Sequence, residues 1–173
     1  MKNAETVLHP FPPVADCRSR VLILGSFPSV KSREEGFYYG HPRNRFWPLI
    51  ANLTGETLPV SIPEKERLLL SHGIALWDVI YQCEITGSSD QSVRNAVPND
   101  IPGLVSQTGI RAVLCNGALS ARLYGRYYSA LPLPVISLPS TSPANASWSF
   151  EKLSSFWENA FQSLQIDITA KEW

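Results

Sequence analysis

Four short segments of this 173-residue chain carry residue types that could do chemistry. They read GSFPS at 25–29, FYYGHPRNRFW at 37–47, AVLCN ending at Asn116, and LPSTSPANASW at 138–148. They contain no carboxylate pair, no Ser-His-Asp pattern and no glycine-rich phosphate loop. Their amides, hydroxyls and aromatic rings suit a planar polar ring and its phosphates instead.

The segment at 37–47 combines aromatic rings with His41, Arg43, Asn44 and Arg45. Such a cluster can stack a planar ring while amides and guanidinium groups bind its polar edges. Asn44 stands just before a predicted helix, so an N-cap is an alternative to a chemical role. His41 precedes a proline, and anchoring that turn is the alternative for it.

Two further segments come directly after predicted strands. Gly25 permits a sharp turn or the close approach of a ligand, and Ser29 could bind a phosphate or cap the next segment of the chain. A strand that ends in Asn116 would hold an amide rigidly, with a donor and an acceptor side by side. The alternatives are a tight turn at 25–29 and an asparagine in a left-handed turn before Gly117.

The segment at 138–148 is rich in hydroxyl groups. Three adjacent hydroxyls and their backbone N–H groups suit a phosphate, and the rigid tip behind them could enter a groove. The hydroxyl residues are Ser140, Thr141 and Ser142, and the tip is Pro143, Ala144 and Asn145. An ordinary serine-rich turn before the last helix is the alternative.

Alternating strands and helices must position these segments. Short apolar runs predict strands at 21–24, 74–80, 111–115 and 134–138. Helical spacing and caps predict helices at 46–53, from Pro63 to Gly73, at 118–126 and at 151–164, with a short one begun by Asn99 or Asp100. The polar stretch 82–95 is expected to be a long connection. This alternation predicts a mostly parallel sheet with helices on both faces, whose site lies at the carboxyl ends of the strands.

Composition excludes several classes of protein. The chain is 44% hydrophobic and 17% charged, which predicts one domain over 1–173 with a sizeable core. Cys17, Cys83 and Cys115 are too few and too scattered for a disulfide framework, a structural zinc or an iron–sulfur cluster, so we expect no metal and no cofactor. Without an apparent export signal or membrane span, we expect a cytoplasmic protein.

The formal net charge is zero, which excludes a strongly polycationic coat for nucleic acid. The charges are segregated along the chain: residues 111–150 hold three basic and no acidic side chains, and 1–50 hold seven basic and four acidic ones. One face could therefore meet a polyanion while the rest stays acidic, although ordinary surface variation is the alternative.

Taken in order, these segments resemble the uracil-DNA glycosylase superfamily, and within it the hypoxanthine-DNA (deoxyinosine) glycosylase family. GSFPS is similar to the first motif, YYGHPRNRFW to the adjoining segment, VLCN to the base-reading strand, and LPSTSPANASW to the groove-inserting loop. ALWDV and RNAVPNDI also resemble this branch. The resemblance implies a three-layer α/β/α sandwich with a short, mostly parallel four-stranded sheet.

The resemblance implies a monofunctional hydrolase that flips a deaminated base out of DNA, cleaves its N-glycosidic bond and leaves an abasic site. Hypoxanthine is the expected base, with uracil or mismatched bases, or a catalytically silent nucleic-acid-binding module, as alternatives. The expected partner is double-stranded or single-stranded DNA, met by a monomer in the prokaryotic cytosol or nucleoid.

The resemblance also assigns roles to residues. Asn44 would hold the attacking water and Asn116 would read the base, although these two roles could be exchanged. The remaining assignments are a base pocket of Gly25, Ser26, Phe27, Tyr39 and His41, and DNA contacts by Ser29, Arg43, Ser140, Thr141, Ser142, Pro143, Ala144 and Asn145.

The chain departs from other branches of the superfamily at two points. Phe27 stands where they carry an Asp or Asn for the water, and the second motif has no His. We therefore expect poor excision of uracil.

Overall fold

A four-stranded parallel sheet forms the centre of the computed structural model, which describes residues 3–86 and 92–171. Its strands lie in the order β3 (Ile74–Asp78), β2 (Val21–Gly25), β6 (Ala112–Asn116) and β7 (Val135–Leu138). All three neighbouring pairs are parallel. The predicted sheet is confirmed, with strand ends within one or two residues of the expected positions.

The strands of this sheet are buried on both faces, which explains their continuous apolar sequences. In β2, Val21 and Ile23 join the core on one face, whereas Leu22 and Leu24 join the core on the other. All four side chains are fully buried. This burial fixes the register of β2, because a shift by one residue would exchange the two faces.

Helices cover both faces of the sheet, so the predicted three-layer sandwich is confirmed. The helices are α1 (Val30–Glu35), α2 (Phe46–Thr54), α3 (Ile62–Ser71), α4 (Ile101–Ser106), α5 (Ala118–Tyr128) and α6 (Phe150–Ser163). Helices α2, α3 and α6 supply residues to one core, and α4 and α5 supply residues to the other.

Local sequence explains where several helices begin. Ser61 and Glu64 form a capping box at the start of α3, and Pro63 stands in the first turn, where its missing N–H is not needed. Asp100 caps α4, and Ser149 caps α6. Helix α1 was not among the predicted helices. It is only six residues long, too short to show helical periodicity.

A second, antiparallel sheet corrects the expectation of a long connection at 82–95. It consists of β1 (Glu5–Leu8), β4 (Ile80–Ile85) and β5 (Arg94–Pro98), in the order β1-β4-β5. Residues 87–91 of that stretch lie outside the described residues. These strands have one face largely open to solvent and irregular pairing between β4 and β5, so their sequences do not show an apolar run.

The end of β3 connects the two sheets. The backbone N–H groups of Val79 and Ile80 donate to the carbonyls of Gly25 and Ser26, at 2.9 and 3.0 Å. The predicted strand at 74–80 therefore divides at Val79 into β3 and β4.

None of the helices in the described part of the chain has the length and apolar character of a membrane span.

Candidate active site

A cavity of about 170 Å³ opens at the carboxyl ends of β2, β3 and β6. Its walls contain Gly25, Ser26 and Phe27 from the first segment, Tyr39 and Asn44 from the second, Asn116 from the third, and Ser140, Thr141 and Ser142 from the fourth. The structure thus brings all four segments of the sequence to one place, as the carboxyl-end rule for parallel sheets predicts.

One hydroxyl group joins the two asparagines of this cavity. Thr141 Oγ1 donates to Asn44 Oδ1 at 2.9 Å and accepts a hydrogen bond from Asn116 Nδ2 at 3.0 Å. The backbone N–H of Thr141 also donates to Asn116 Oδ1, at 3.0 Å. Thr141 is fully buried and Asn116 is 9% exposed, so water does not compete strongly for these bonds.

This placement of Thr141 differs from the phosphate contact expected of it. Its side chain lies beneath the surface, between the amides of Asn44 and Asn116. A single hydroxyl has one hydrogen to donate, and Asn44 receives it. Thr141 therefore orients the two amides, and its hydroxyl is not directed at a surface phosphate.

The hydrogen bonds of Asn44 determine which way its amide points. Asn44 Oδ1 accepts from the backbone N–H of Phe46 at 2.9 Å as well as from Thr141. A flipped amide would place two donors against each other, so the network assigns the oxygen to this side. Among the described residues, Asn44 Nδ2 has no hydrogen-bond partner. Asn44 thus supports the start of α2 as its residue type indicates, and it also keeps a free donor at the cavity.

A buried carboxylate and a buried imidazole lie in hydrogen-bond contact across β2 from Asn116. Asp78 ends β3 opposite Gly25, and its Oδ2 lies 2.7 Å from His9 Nε2. Asp78 is 4% exposed and lines the cavity, whereas the side chain of His9 lies behind it, 2% exposed. The amide of Asn99 donates to the backbone carbonyl of Asp78 at 2.9 Å, which fixes the end of the strand.

Gly25 is required for this arrangement. A Cβ atom on Gly25 would collide with Asp78 Oδ1 and lie 3.0 Å from the hydroxyl of Tyr39. The sequence indicated a glycine needed for a turn or a close approach, and the structure shows the close approach.

The signal that could have identified Asp78 is its position as an acid at the end of a buried strand. His9 has no such signal, because it contacts Asp78 from 69 positions away.

Aromatic rings complete the cavity. Tyr39 stacks on Phe46 with a centroid distance of 4.1 Å, and its backbone adopts the left-handed conformation, with φ of 53°. Burial, reinforced by the negative charge of Asp78, raises the pKa of Tyr39 well above its usual range, so the phenol stays neutral. Its buried hydroxyl has no hydrogen-bond partner in the part of the chain that is described. Phe27 offers an apolar ring at the same cavity.

Three expected site residues lie at the rim of the cavity or outside it. His41 Nδ1 accepts from the backbone N–H of Arg43 at 3.1 Å, which is the turn-anchoring alternative for this residue. Arg43 is exposed on the surface. Ser29 is also exposed, lines the rim of the cavity and caps α1 by accepting from the N–H of Ser32 at 3.2 Å.

The loop at 139–149 is held together by its own polar groups. Ser140 Oγ accepts from the N–H of Ser142 at 3.1 Å, and Ser142 Oγ accepts from the N–H of Ala144 at 3.2 Å. The amide of Asn145 donates to the carbonyl of Ser140 at 3.0 Å. Pro143 is half-buried and Ala144 is exposed, so the expected tip of the loop faces solvent at Ala144.

Arg45 fixes this loop, a role that the sequence did not reveal. Its guanidinium group donates to the carbonyls of Ser142 at 3.2 Å, Asn145 at 3.0 Å and Trp148. Its backbone N–H donates to the carbonyl of Thr141 at 3.1 Å. Arg45 and Asn44 are neighbours in the chain. Both therefore connect the start of α2 to the loop. The family resemblance assigned a DNA contact to Arg43 and no role to Arg45, and residue type alone does not distinguish the two arginines.

The cavity is built from amides, hydroxyls, one carboxylate and aromatic rings. No cluster of three or more metal-ligating side chains occurs within residues 3–86 and 92–171. The three cysteines are free thiols, and burial raises the pKa of Cys115 to about 11. The chemistry open to this arrangement is hydrogen bonding to a planar polar ring and the placement of a water molecule.

Comparison with known proteins identifies the family of this chain. The model of the uracil DNA glycosylase superfamily matches residues 12–165. A protein of Methanosarcina acetivorans named hypoxanthine DNA glycosylase is 35% identical over 153 residues, which cover 88% of this chain and 96% of the relative. The protein of the same name from Methanosarcina barkeri is 36% identical over 155 residues, with the same coverage.

A solved structure shows the same fold. It is the solution NMR structure of a candidate uracil DNA glycosylase from Methanosarcina acetivorans, 32% identical to this chain, with a TM-score of 0.77. The match covers 95% of this chain and 98% of the other. On these grounds the chain belongs to the uracil DNA glycosylase superfamily.

Proposed function

We propose that this protein is a DNA glycosylase that hydrolyses the N-glycosidic bond of deoxyinosine and leaves an abasic site. The observation that carries the proposal is the pair of amides, Asn44 and Asn116, held by Thr141 in one cavity beside an aromatic ring. The names of the relatives from the two Methanosarcina species support hypoxanthine as the base.

The polar groups of the cavity match the edge of hypoxanthine. That edge offers an acceptor, the carbonyl O6, beside a donor, N1–H. Asn116 Nδ2 has a second hydrogen for O6, because Thr141 uses only one of its two. The Asp78 carboxylate supplies an acceptor for N1–H, and its negative charge favours a cationic sugar. Adenine presents a donor and an acceptor in the opposite order, so it would leave groups unpaired.

The reaction itself needs little activation of the nucleophile. Cleavage of an N-glycosidic bond passes through an oxocarbenium-like sugar, which a neutral water molecule can attack once it is correctly placed. Asn44 would place this water through its free Nδ2 donor, on an amide that cannot rotate without losing two hydrogen bonds. Donation from Asn116 to O6 would stabilise the charge on the departing base.

Phe27 and Tyr39 would hold the flipped base. Phe27 offers a ring for stacking, and Tyr39 has a buried hydroxyl without a partner in the described part of the chain, which suits a polar atom of the base or the water. The exposed Ser29 and Arg43 and the half-buried Ser140 and Ser142 would contact phosphates. We further propose a monomer acting on duplex DNA.

Uracil is the second candidate base, because its O4 and N3–H present the same acceptor and donor, and the NMR relative is named for uracil. Single-turnover cleavage separates the two. Duplexes that carry one deoxyinosine or one deoxyuridine in the same sequence are incubated with excess protein and then treated with alkali. We expect strand scission at inosine to be at least about tenfold faster than at uracil. Faster scission at uracil would establish the second candidate, and no scission at either base would contradict a glycosylase.

A further inference from the structure

A second groove, separate from the base cavity, runs between β5 and α5. It has a volume of about 380 Å³, and Arg94, Arg122, Arg126 and Tyr127 stand in its walls. Arg122 and Arg126 are exposed on α5, one helical turn apart. We call this feature the arginine groove.

The charges of α5 in the arginine groove have no acidic partner among the described residues. Arg122 makes no hydrogen bond or ion pair there, and the guanidinium group of Arg126 lies 5.5 Å from the centre of the Tyr127 ring. No Asp or Glu lines the described part of the groove. Glu84 is close by on β4, where its carboxylate accepts from the amide of Asn95 at 2.9 Å. A groove whose described walls carry arginines and no carboxylate attracts an anion.

The arginine groove has a firm floor and leads to the base cavity. The hydroxyl of Tyr127 donates to the carbonyl of Ala96 at 3.2 Å, which ties α5 to β5, and Leu123 is buried beneath. Val93 lines both the groove and the base cavity. Helix α5 starts two residues after Asn116, so the groove begins beside a residue of the candidate active site.

We infer that the arginine groove binds the sugar-phosphate backbone of a DNA strand that runs past the base cavity, an inference that rests on the proposed function. Arg122 and Arg126 are four positions apart on the helix, a rise of about 6 Å. DNA carries one phosphate per roughly 3.4 Å of axis on each strand, so the two side chains can contact two phosphates of one strand. Guanidinium groups bind phosphate oxygens in pairs. The groove also explains how a chain of zero net charge holds a polyanion.

Binding to undamaged duplex DNA tests this inference independently of catalysis. The dissociation constant of the double variant Arg122→Gln/Arg126→Gln is measured by fluorescence anisotropy between roughly 50 and 200 mM salt. Each phosphate contact contributes about 0.9 to the slope of log K against log salt, so we expect the slope to fall by about 2 and affinity at low salt to fall roughly five- to tenfold. Arg67→Gln is the matched control, because Arg67 is an exposed arginine on α3, which packs on the other face of the central sheet.

Each outcome supports or overturns the inference. A reduced slope in the double variant, an unchanged slope in Arg67→Gln and recovery by Arg122→Lys/Arg126→Lys would support it. Equal slopes in the double variant and the wild type would overturn it, and so would an equal loss in the control. If the wild type excises no base at all, the proposed function fails, while the binding data still report on the groove.

Discussion

Thr141 donates its hydroxyl hydrogen to Asn44 Oδ1 at 2.9 Å, although the two residues are 97 positions apart in the chain. The same hydroxyl accepts from Asn116 Nδ2. The orientation of both amides therefore depends on one buried side chain that does not itself need to touch the substrate. This dependence leads to a direct test.

Thr141→Val keeps the shape of the side chain and removes the hydroxyl. Both amides then lose a buried partner, at a cost of about 1–3 kcal/mol. If this cost falls on the transition state, single-turnover excision of hypoxanthine slows about 5- to 160-fold. Affinity for DNA should change little.

Thr141→Ser is the matched control for this change, because it keeps the hydroxyl and should keep most of the rate. Circular dichroism establishes that the valine variant is folded. An unchanged rate in a folded Thr141→Val protein would show that the shared hydroxyl does not orient the catalytic amides.

Gly25→Ala should damage the cavity. The added methyl group would collide with the Asp78 carboxylate and press on the Tyr39 hydroxyl. Displacement of these walls by up to about 1 Å is expected to slow excision about 100-fold. Gly125→Ala is the control, since a Cβ on Gly125 meets no atom within 4 Å among the described residues and replaces glycine inside α5. It should leave the rate unchanged and stabilise the fold by about 0.5–1 kcal/mol.

Arg45→Met should loosen the loop at 139–149, because the carbonyls of Ser142, Asn145 and Trp148 lose their donor. We expect the free energy of unfolding to fall by about 1–3 kcal/mol and amide hydrogens of the loop to exchange faster. Hydrogen exchange followed by mass spectrometry measures the second effect. Arg43→Met, at the exposed neighbouring position, should stay within about 0.5 kcal/mol of wild type. Equal protection of the loop in both variants would contradict this role for Arg45.

Glu56→Gln tests a cluster far from the cavity. Hydrogen bonds from Lys171 and then His72 hold the pKa of Glu56 below its usual 4.5. The folded state therefore binds the proton of Glu56 less tightly than the unfolded state does, and its carboxylate stabilises the fold above pH 4.5. This contribution is lost as the pH falls through the lowered pKa. The urea midpoints of wild type and Glu56→Gln should differ at neutral pH and converge at an acidic pH below that lowered pKa.

Glu66→Gln, at an exposed position on α3, is the control for that comparison. Its midpoint should follow the wild type at both pH values. A gap between Glu56→Gln and wild type that stays constant with pH would exclude the ionised Glu56 as its source.

The central sheet and the convergence of the four segments were predictable from sequence. Strands such as β2 and β6 are buried on both faces, so their apolar runs stand out, and the carboxyl-end rule then brings Gly25 and Asn116 together. Signals for helix starts were similarly local, as at Pro63 and Asp100. Interactions confined to a few neighbouring residues leave a pattern that a single sequence shows.

The second sheet and the contacts that orient the site were not predictable from sequence. Strands β1, β4 and β5 are half-exposed and irregularly paired, so their composition resembles that of a loop. His9 and Arg45 act through partners 69 and about 100 positions away. A histidine or arginine that binds across such a distance has no local pattern that distinguishes it from a surface residue.

The most direct test of the proposed mechanism is single-turnover release of hypoxanthine from a deoxyinosine duplex by wild type and by Asn44→Ala. Asn52→Ala is the control, because Asn52 is an exposed asparagine on α2, the helix that begins just after Asn44. We predict that Asn44→Ala loses at least about 100-fold in rate while still binding the duplex, and that Asn52→Ala excises like wild type. Full activity in Asn44→Ala would contradict the placement of the attacking water at Asn44.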